Sequence, residues 1–377
     1  MRRRRPFSSS SWQSSSLRQS ASWRNDTRPA PDTTDQPTDA VLAVSQARPS
    51  VARARYMRIA ASIVVMAFVG LLPFALDSYW VFTLSEVMIY AIATIGLDIV
   101  FGRAGQLSLA QASFFGLGAY LAALTTTLPA GLQFLLVVAT AMIAGAVVAI
   151  PTLRLSGLRL ALVTLLFGEL FIWALDHLGS LTGGTQGLVV PALAIGDSNS
   201  QDPTYGYMLV LFFAVAATLT AVQISRTQFG RRLLAVRDSE VAARSVGIGL
   251  VRTKVAAFML SAIFAGVAGW LYAHVVGFVA PPTFDLFPSV YFLIAVILGG
   301  AGRVAGSWLG AAYIVLIPQA FSIIGQSNLF PILGGGVLIL VALLLPGGLM
   351  DGATRTAGWI RARYAAMRQM SSNRRPA

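Results

Sequence analysis

Residues 229–249, FGRRLLAVRDSEVAARSVGIG, hold the densest cluster of charge between the basic N- and C-terminal regions of the chain. The segments on either side, 206–225 and 255–276, are apolar and match the roughly 20 residues that an α-helix needs to cross a lipid bilayer. A charged segment that joins two such runs lies in water at one face of the membrane. The pattern therefore predicts an all-α membrane protein in which 229–249 is an exposed connection between two spans.

The composition of the whole chain agrees with this prediction. Of its 377 residues, 56% are hydrophobic and 11% are charged, whereas soluble globular domains carry about 25% charged residues. The chain has no cysteine, which excludes disulfides and thiolate metal sites, and its two histidines leave little for a metal cluster. A net charge of +13 would suit nucleic acid, but the position of the charges along the chain indicates membrane topology instead.

Apolar runs recur along the chain and predict a polytopic bundle of about ten membrane-spanning helices. They lie near 59–76, 82–101, 107–127, 132–150, 158–177, 206–225, 255–276, 286–300, 304–324 and 329–345. The division of 286–324 into two helices rests on a glycine-rich turn, GGAGRVAGS, around Arg303.

The positions of lysine and arginine orient these spans, because cytoplasmic segments are enriched in them. With the N-terminus in the cytoplasm, every lysine and arginine except Arg159 falls in a cytoplasmic segment, and Arg159 lies at the cytoplasmic end of a span. The predicted outer loops contain acidic residues instead: Asp77, Asp197, Asp202 and Asp285. We therefore expect both termini in the cytoplasm.

The chain divides into three predicted parts. Residues 1–57 are rich in serine, arginine and proline and predict a disordered cytoplasmic tail, solvated or attracted to anionic membrane lipid. Residues 58–346 form the transmembrane domain, with a cytoplasmic loop at about 226–254. Residues 347–377 form a second basic cytoplasmic tail.

Local signals within the charged loop predict a short helix. Asp238 or Ser239 can cap its start, Gly247 can end it, and Glu240 and Arg244 are spaced as an i,i+4 ion pair. The small or mildly apolar residues between them form one flat face: Val241, Ala242, Ser245 and Val246. Such a face suits insertion into a groove on another protein, and a solvated connecting loop is the alternative.

The segment VRDSEVAARSVGI (236–248) resembles the cytoplasmic E-A-A loop of ABC importer permeases. It is similar to the pattern R-D-N-E-x-A-A-x-x-x-G-I of the branched-chain amino acid permeases, the LivM-type subunits. Further segments resemble that family in the same order: GLDIVFGRAGQLSLAQASFFGLGAYLAAL (96–124), LRLSGLRLALVTLLFGEL (153–170), LTGGTQGL (181–188) and FVAPPTFDLFPSVYFLIAVILGGAGRVAGSWLGAA (278–312). The likeness covers about 58–350.

Three positions depart from the family's pattern. Gln111 stands where histidine is common, and Gln186 stands where an acid is common. Both changes are expected to bear on substrate preference. Gly347 replaces the usual arginine of P-R-G, which is expected to weaken a contact near the cytoplasmic surface.

The resemblance implies an importer of branched-chain or related hydrophobic amino acids in the bacterial inner membrane. In such importers the charged helix is a coupling helix that sits in a cleft of the ATP-binding subunit. The implied partners are two ATP-binding cassette subunits, a second, LivH-type permease and an extracytoplasmic substrate-binding protein. The expected docking residues are Arg237, Asp238, Glu240, Ala242, Ala243 and Gly247. A urea or short-amide permease of the same family and a stand-alone secondary transporter are the alternatives.

The chain itself is not expected to be an ATPase or another enzyme. A P-loop needs a lysine after its glycines, and the one lysine of the chain, Lys254, lies in VRTKVAA. The glycine-rich segments 182–187 and 299–306 therefore indicate turns or close helix packing rather than phosphate binding. ATP would be bound by the partner subunits.

Polar groups inside membrane spans are costly and often mark a transport pathway. In GRAGQLSLAQ (102–111), Gly102 and Gly105 interrupt an apolar run, which predicts a broken helix whose free amides would suit a substrate carboxylate. The expected pathway residues are Gln106, Ser108, Gln111, Glu169, Thr182, Gly183 and Gly184. An interhelical hydrogen bond is the alternative role for Glu169, and the outer loop 178–205 either receives substrate or is a structured connector.

Overall fold

The computed structural model describes residues 70–195, 198–323 and 348–350. The helices are α1 Ser78–Leu97, α2 Gln111–Leu124, α3 Ala130–Thr152, α4 Leu158–His177, α5 Gly179–Thr182, α6 Pro203–Arg226, α7 Gln228–Asp238, α8 Glu240–Ser245, α9 Leu250–Val276, α10 Leu286–Gly299 and α11 Val304–Ile323. A π-helical turn, Asp98–Arg103, continues α1. The strands are β1 Leu188–Val189, β2 Ala194–Ile195, β3 Ser198–Asn199 and β4 Phe278–Val279. β1 pairs with β4 and β2 with β3, both antiparallel.

Seven helices in the described residues are long and apolar enough to cross a membrane. They are α1 with its π-turn, α3, α4, α6, α9, α10 with the turn before it, and α11. The predicted helical bundle is therefore confirmed, and so is the division of 286–324 into two helices. The predicted spans at 59–76, apart from its last residues, and at 329–345 lie outside the described residues. The total of ten spans and the side of the termini stay predictions, as do the two tails.

The predicted span at 107–127 is wrong in length. Helix α2 has 14 residues, about 21 Å at 1.5 Å per residue, which is short of the roughly 30 Å of a bilayer's hydrocarbon core. The chain before it is not helical: the helix that began as α1 ends at Arg103, and the next helix begins only at Gln111. The predicted break in 102–111 is thus present.

Helices α1 and α9 carry the most buried spans of the described bundle. Helix α9 packs against α1, α2 and α3. Its approach to α2 depends on glycine, because a Cβ atom at Gly118 would overlap the carbonyl of Gly266, and one at Gly269 would overlap the carbonyl of Phe115. Small residues let two helix backbones come this close. The glycines of α2 therefore serve helix packing.

All the lysines and arginines of the described residues lie in segments that meet at one end of the bundle, which we call the basic end. Contacts between Arg237 and Gly102, between Lys254 and Thr152, and between Gly302 and Asp98 bring these segments together. The cations are Arg103, Arg154, Arg159, Arg226, Arg231, Arg232, Arg237, Arg244, Arg252, Lys254 and Arg303. The segments predicted to be cytoplasmic therefore share one end in three dimensions.

The long loop at the opposite end is structured. The Ser200 hydroxyl donates to the carbonyl of His274 over 2.8 Å, and the Val190 amide donates to the carbonyl of Gly277 over 2.9 Å. Both acceptors lie at the end of α9, so the described part of 178–205 is held on the bundle. Gly183 takes a left-handed conformation with φ of 73°, which glycine adopts without strain. The predicted turn at 182–187 is confirmed.

Candidate functional site

The charged connection folds as two short helices, α7 and α8, rather than one. The Ser239 hydroxyl accepts a hydrogen bond from the Ala242 amide over 3.2 Å and caps α8. Gly247, with φ of 80°, ends it: the Gly247 amide donates to Arg244, and the Ile248 amide donates to Ala243, each over 3.0 Å. These two bonds form a Schellman motif. The predicted cap and stop of the short helix are confirmed.

One face of this connection packs on itself and the other is exposed. Val236, Ala243 and Leu250 form a small buried cluster. On the opposite side the side chains of Val241 and Val246 are 82% and 74% exposed. The flat face predicted from the sequence therefore points outward.

Glu240 is bound to Lys254 rather than to Arg244, so the predicted i,i+4 pair is wrong. The Glu240 carboxylate lies 2.7 Å from the Lys254 ammonium, and the Lys254 side chain is only 5% exposed. The ammonium also lies 3.3 Å from the carbonyl oxygen of Thr152 at the end of α3. A buried cation requires a counter-ion, whereas an exposed pair with Arg244 gains little.

A second contact joins the connection to the π-turn after α1. The guanidinium of Arg237 donates to the carbonyl of Gly102. In the same turn, Asp98 accepts from the amide of Gly302, and its other oxygen lies 3.4 Å from Nε of Arg103. We call this cluster of five residues the Asp98 node. It joins α7, the π-turn and the turn between α10 and α11.

Backbone amides at the break between the π-turn and α2 are already hydrogen-bonded to side chains of the same chain. The Leu109 amide donates to the Thr164 hydroxyl over 2.9 Å, and the Ala112 amide donates to the Ser289 hydroxyl over 3.1 Å. The Ser108 hydroxyl lies 3.4 Å from the amide of Ala110. These amides already have partners within the chain, so the break gives little support to the expected cradle for a substrate carboxylate.

Two buried glutamines near the break differ in whether their side-chain atoms have hydrogen-bond partners. Gln111 donates to the carbonyl of Ala93 over 2.7 Å and accepts from the hydroxyl of Ser261 over 3.0 Å, so it ties α2 to α1 and α9. Gln106 is 4% exposed, and its side-chain oxygen has no hydrogen-bond partner in the described residues.

Glu169 lies on the outer face of α4. It follows Leu162 by seven residues and precedes Trp173 by four, so the three share one helix face. Leu162 is 54% and Trp173 57% exposed, and Glu169 is exposed as well. No hydrogen bond or ion pair joins its carboxylate to the described residues. An interhelical hydrogen bond within the described chain is therefore absent at this position.

The expected pathway residues fall in three places. Gln106, Ser108 and Gln111 lie at the break, Glu169 lies on the outer face of α4, and the remaining three lie in the turn after α4. These are Thr182, Gly183 and Gly184. Thr182 bonds to the carbonyl of Leu178 over 3.0 Å within that turn. The described residues contain no group of three or more His, Cys, Asp or Glu side chains that could hold a metal ion.

A model of one protein family, described as branched-chain amino acid transport system / permease component, matches residues 79–342. The chain belongs to this family. The match runs from the start of α1 to beyond α11, so it includes both the broken helix and the charged connection. The permease is therefore a multi-pass protein of the bacterial cell membrane.

Curated relatives agree with this assignment. The permease is 31% identical to the high-affinity branched-chain amino acid transport system permease protein LivM of Salmonella typhimurium, over 74% of its own length and 71% of the relative's. It is 24% identical to LivH of the same organism and system, over 69% of its length and 91% of the relative's. The autoinducer 2 import system permease protein LsrC of Klebsiella pneumoniae is 28% identical to the permease, over 53% of the permease's length and 59% of LsrC's. No solved structure matches the chain.

The six expected docking residues of the permease divide into two sets. Arg237, Glu240 and Ala243 contact other parts of the described chain. The other three, Asp238, Ala242 and Gly247, are exposed, and so is part of the bonded Arg237. Beside the exposed face lies an open groove of about 770 Å³, lined by Arg232, Arg244 and residues 246–253.

Sequence reasoning missed the part played by Lys254. The chain has a single lysine, and it follows the charged connection at the start of an apolar helix. That combination was a usable signal, because a cation at the start of a buried span needs an acidic partner nearby. Of the family departures, Gln111 is fully buried and bonded, Gln186 is exposed in the turn after α4, and Gly347 lies outside the described residues.

Proposed function

We propose that the chain is a transmembrane subunit of an ABC importer that moves branched-chain or related hydrophobic amino acids into the cytoplasm. Separate ATP-binding subunits would dock on α7 and α8 and drive transport. The observation that carries this proposal is the exposed apolar face of α8 at the basic end, in a chain whose relatives are import-system permeases. The basic end would then be cytoplasmic, which agrees with the enrichment of cytoplasmic segments in arginine.

The exposed valines support a docking surface. Val241 and Val246 lie on a charged segment that would face water, where neighbouring exposed apolar side chains often mark a protein contact. We assign docking to these valines with Asp238, Ala242 and Gly247. We assign Arg237, Glu240 and Ala243 to holding the connection on the bundle. The basic groove beside this face would receive acidic groups of the ATP-binding subunit.

Glu169 supports a pathway or subunit contact along α4. An acidic residue at the centre of a lipid-facing helix costs about 2.5–3.5 kcal/mol, and such residues usually face a protein partner or a watered cavity. The second permease is the proposed occupant of this face, since LivM and LivH are named as permease proteins of one transport system. Gln106, Ser108 and Gln111 would lie at the inner end of the pathway, with Gln111 mainly a packing residue. The turn 182–184 would lie at its outer end, where an extracytoplasmic binding protein delivers substrate.

The relatives also limit how finely the substrate is assigned. LsrC is named for autoinducer 2, a cargo different from that of LivM, so membership of the wider group does not fix one substrate. Comparing uptake of leucine, valine and urea would separate an amino acid importer from a short-amide importer.

The first test is co-purification from membranes in mild detergent, with the chain tagged. Val241→Asp places a charge on the proposed docking face, and Ser156→Asp places the same charge on an exposed position elsewhere at the basic end. We expect a P-loop ATPase and a second permease to co-purify with the wild type and with Ser156→Asp, and the ATPase to be lost with Val241→Asp. Folded wild-type chain recovered alone would instead support a stand-alone transporter.

A further inference from the structure

We propose that the Asp98 node links the charged connection to the broken helix, so that displacement of α7 is transmitted to the π-turn. Arg237 is then a positioning residue that holds α7 on this turn, rather than a residue that contacts the ATP-binding subunit. The inference rests on the proposed function, because a docked ATP-binding subunit is what would displace α7.

Arg237 fits between two glycines, one inside the node and one beside it. A Cβ atom at Gly105 would lie 3.0 Å from Cγ of Arg237, and one at Gly302 would lie 3.5 Å from its Nη1. Each glycine leaves space for the arginine side chain to reach the carbonyl of Gly102. These two glycines lie on different segments, one after α1 and one before α11. The guanidinium therefore lies where the two segments meet.

Asp98 joins the same two segments from the inside. Its carboxylate belongs to a residue that is 2% exposed, and it accepts from the Gly302 amide. A Cβ atom at Gly102 would overlap the Asp98 carboxylate, so the turn closes tightly around this group. The Arg103 guanidinium supplies the positive charge that a buried carboxylate needs. The π-turn and the turn at 300–303 are thus held as one unit.

The position of the contact makes it suitable for transmission. Arg237 binds a carbonyl inside a π-helical turn, and such turns are frequent at functional sites because the regular hydrogen-bond ladder is interrupted there. The chain beyond the turn is non-helical and contains the buried Gln106, whose side-chain oxygen has no partner in the described residues. Coupling between distant sites is carried by contiguous contacts of this kind when the element between them has two arrangements.

The test compares Arg237→Ala with Arg231→Ala in the complete complex reconstituted in liposomes. Arg231 is an exposed arginine of the same helix whose guanidinium donates to the carbonyl of Arg226 in its own segment, so it controls for the loss of charge. ATP hydrolysis and leucine uptake are measured together, and the readout is leucine transported per ATP hydrolysed. Subunit composition is checked by gel filtration.

We expect Arg237→Ala to keep its ATP-binding subunits and hydrolyse ATP while transporting about fivefold or more less leucine per ATP, the lower range of allosteric coupling. Arg237→Lys, which keeps a donor and a charge, should restore part of the ratio. Arg231→Ala should match the wild type.

Two results would overturn the link. An unchanged transport ratio in Arg237→Ala would show that the contact transmits nothing. Loss of the ATP-binding subunits in Arg237→Ala, but not in Arg231→Ala, would make Arg237 a docking residue instead. A wild-type chain that carries no ATP-binding subunit would overturn the proposed function itself and the link with it, which distinguishes the two failures.

Discussion

The ion pair between Glu240 and Lys254 should respond differently to the loss of each partner. Removing Glu240, the more exposed one, should destabilise the protein more than removing the buried Lys254. Glu240 is 38% exposed at its side chain and Lys254 is 5% exposed. Glu240→Gln leaves the buried ammonium without a counter-charge, with only neutral acceptors beside it: the introduced amide oxygen and the carbonyl of Thr152. Lys254→Met leaves a carboxylate that water can reach and fills the buried space with an apolar chain of similar length.

The expected loss of stability for each substitution follows from how deeply the two partners are buried. Breaking a fully buried pair by removing one partner costs about 3–5 kcal/mol. Water reaches the exposed side of Glu240, so the cost of breaking this pair is lower than for a fully buried one. Fully exposed pairs contribute only about 0–1 kcal/mol. We therefore expect a loss of about 2 kcal/mol for Glu240→Gln. Lys254→Met should cost about 1 kcal/mol, the value of one typical hydrogen bond. Glu240→Lys, which places two cations together, should be the most severe and should abolish uptake while leaving binding-protein affinity intact.

Hydrogen exchange of the amides in α8 measures these values directly, since the pair holds that helix on α9. A loss of 2 kcal/mol corresponds to about 30-fold faster exchange if α8 opens locally. The control is Asp238→Asn, which removes an exposed acid from the same connection. Equal exchange rates in Glu240→Gln and Asp238→Asn, or slower exchange in Glu240→Gln than in Lys254→Met, would show that the burial of Lys254 does not decide the cost of losing this pair.

Four further changes test other parts of the chain. Gly269→Ala should lower the thermal unfolding temperature in detergent by disrupting the contact of α9 with α2, whereas Gly131→Ala, with open space around it, should not; equal temperatures would contradict the packing argument. Gln111→Leu should cost about 1–3 kcal/mol of unfolding free energy by leaving the buried hydroxyl of Ser261 without its acceptor, with no change in leucine-to-urea preference. A changed preference would place Gln111 in the pathway instead. Glu169→Leu should leave membrane insertion normal but reduce uptake at equal protein amount, and normal uptake would remove Glu169 from the transport site. Deletion of residues 2–50 should leave uptake unchanged, and lost uptake with normal insertion would give the tail a role.

Several features of the fold were predictable from local sequence because their causes are local. Membrane spans are recognised by apolar length, and this identified α3, α4 and α9 with small errors at their ends. The cap at Ser239 and the stop at Gly247 were predictable because a hydroxyl and a flexible backbone act within three residues of their own position. The outward face of α8 was predictable from helical periodicity and the small size of its residues.

Partners of the charged residues were decided by tertiary structure. Spacing favoured Arg244 as the partner of Glu240, yet the close packing of the bundle buries Lys254 beside Glu240, and a buried cation outcompetes an exposed one for a carboxylate. Arg237 binds a carbonyl 135 residues away, and no local pattern specifies that distance. The start of α2 is likewise accompanied by tertiary contacts, since the Leu109 amide before it donates to Thr164 and the Ala112 amide in its first turn donates to Ser289. Sequence therefore determined most of the helical segments and where the charges cluster along the chain, because hydropathy and capping act locally. Only the packed bundle determined which helix ends meet, because that depends on how closely the glycines let the helices approach.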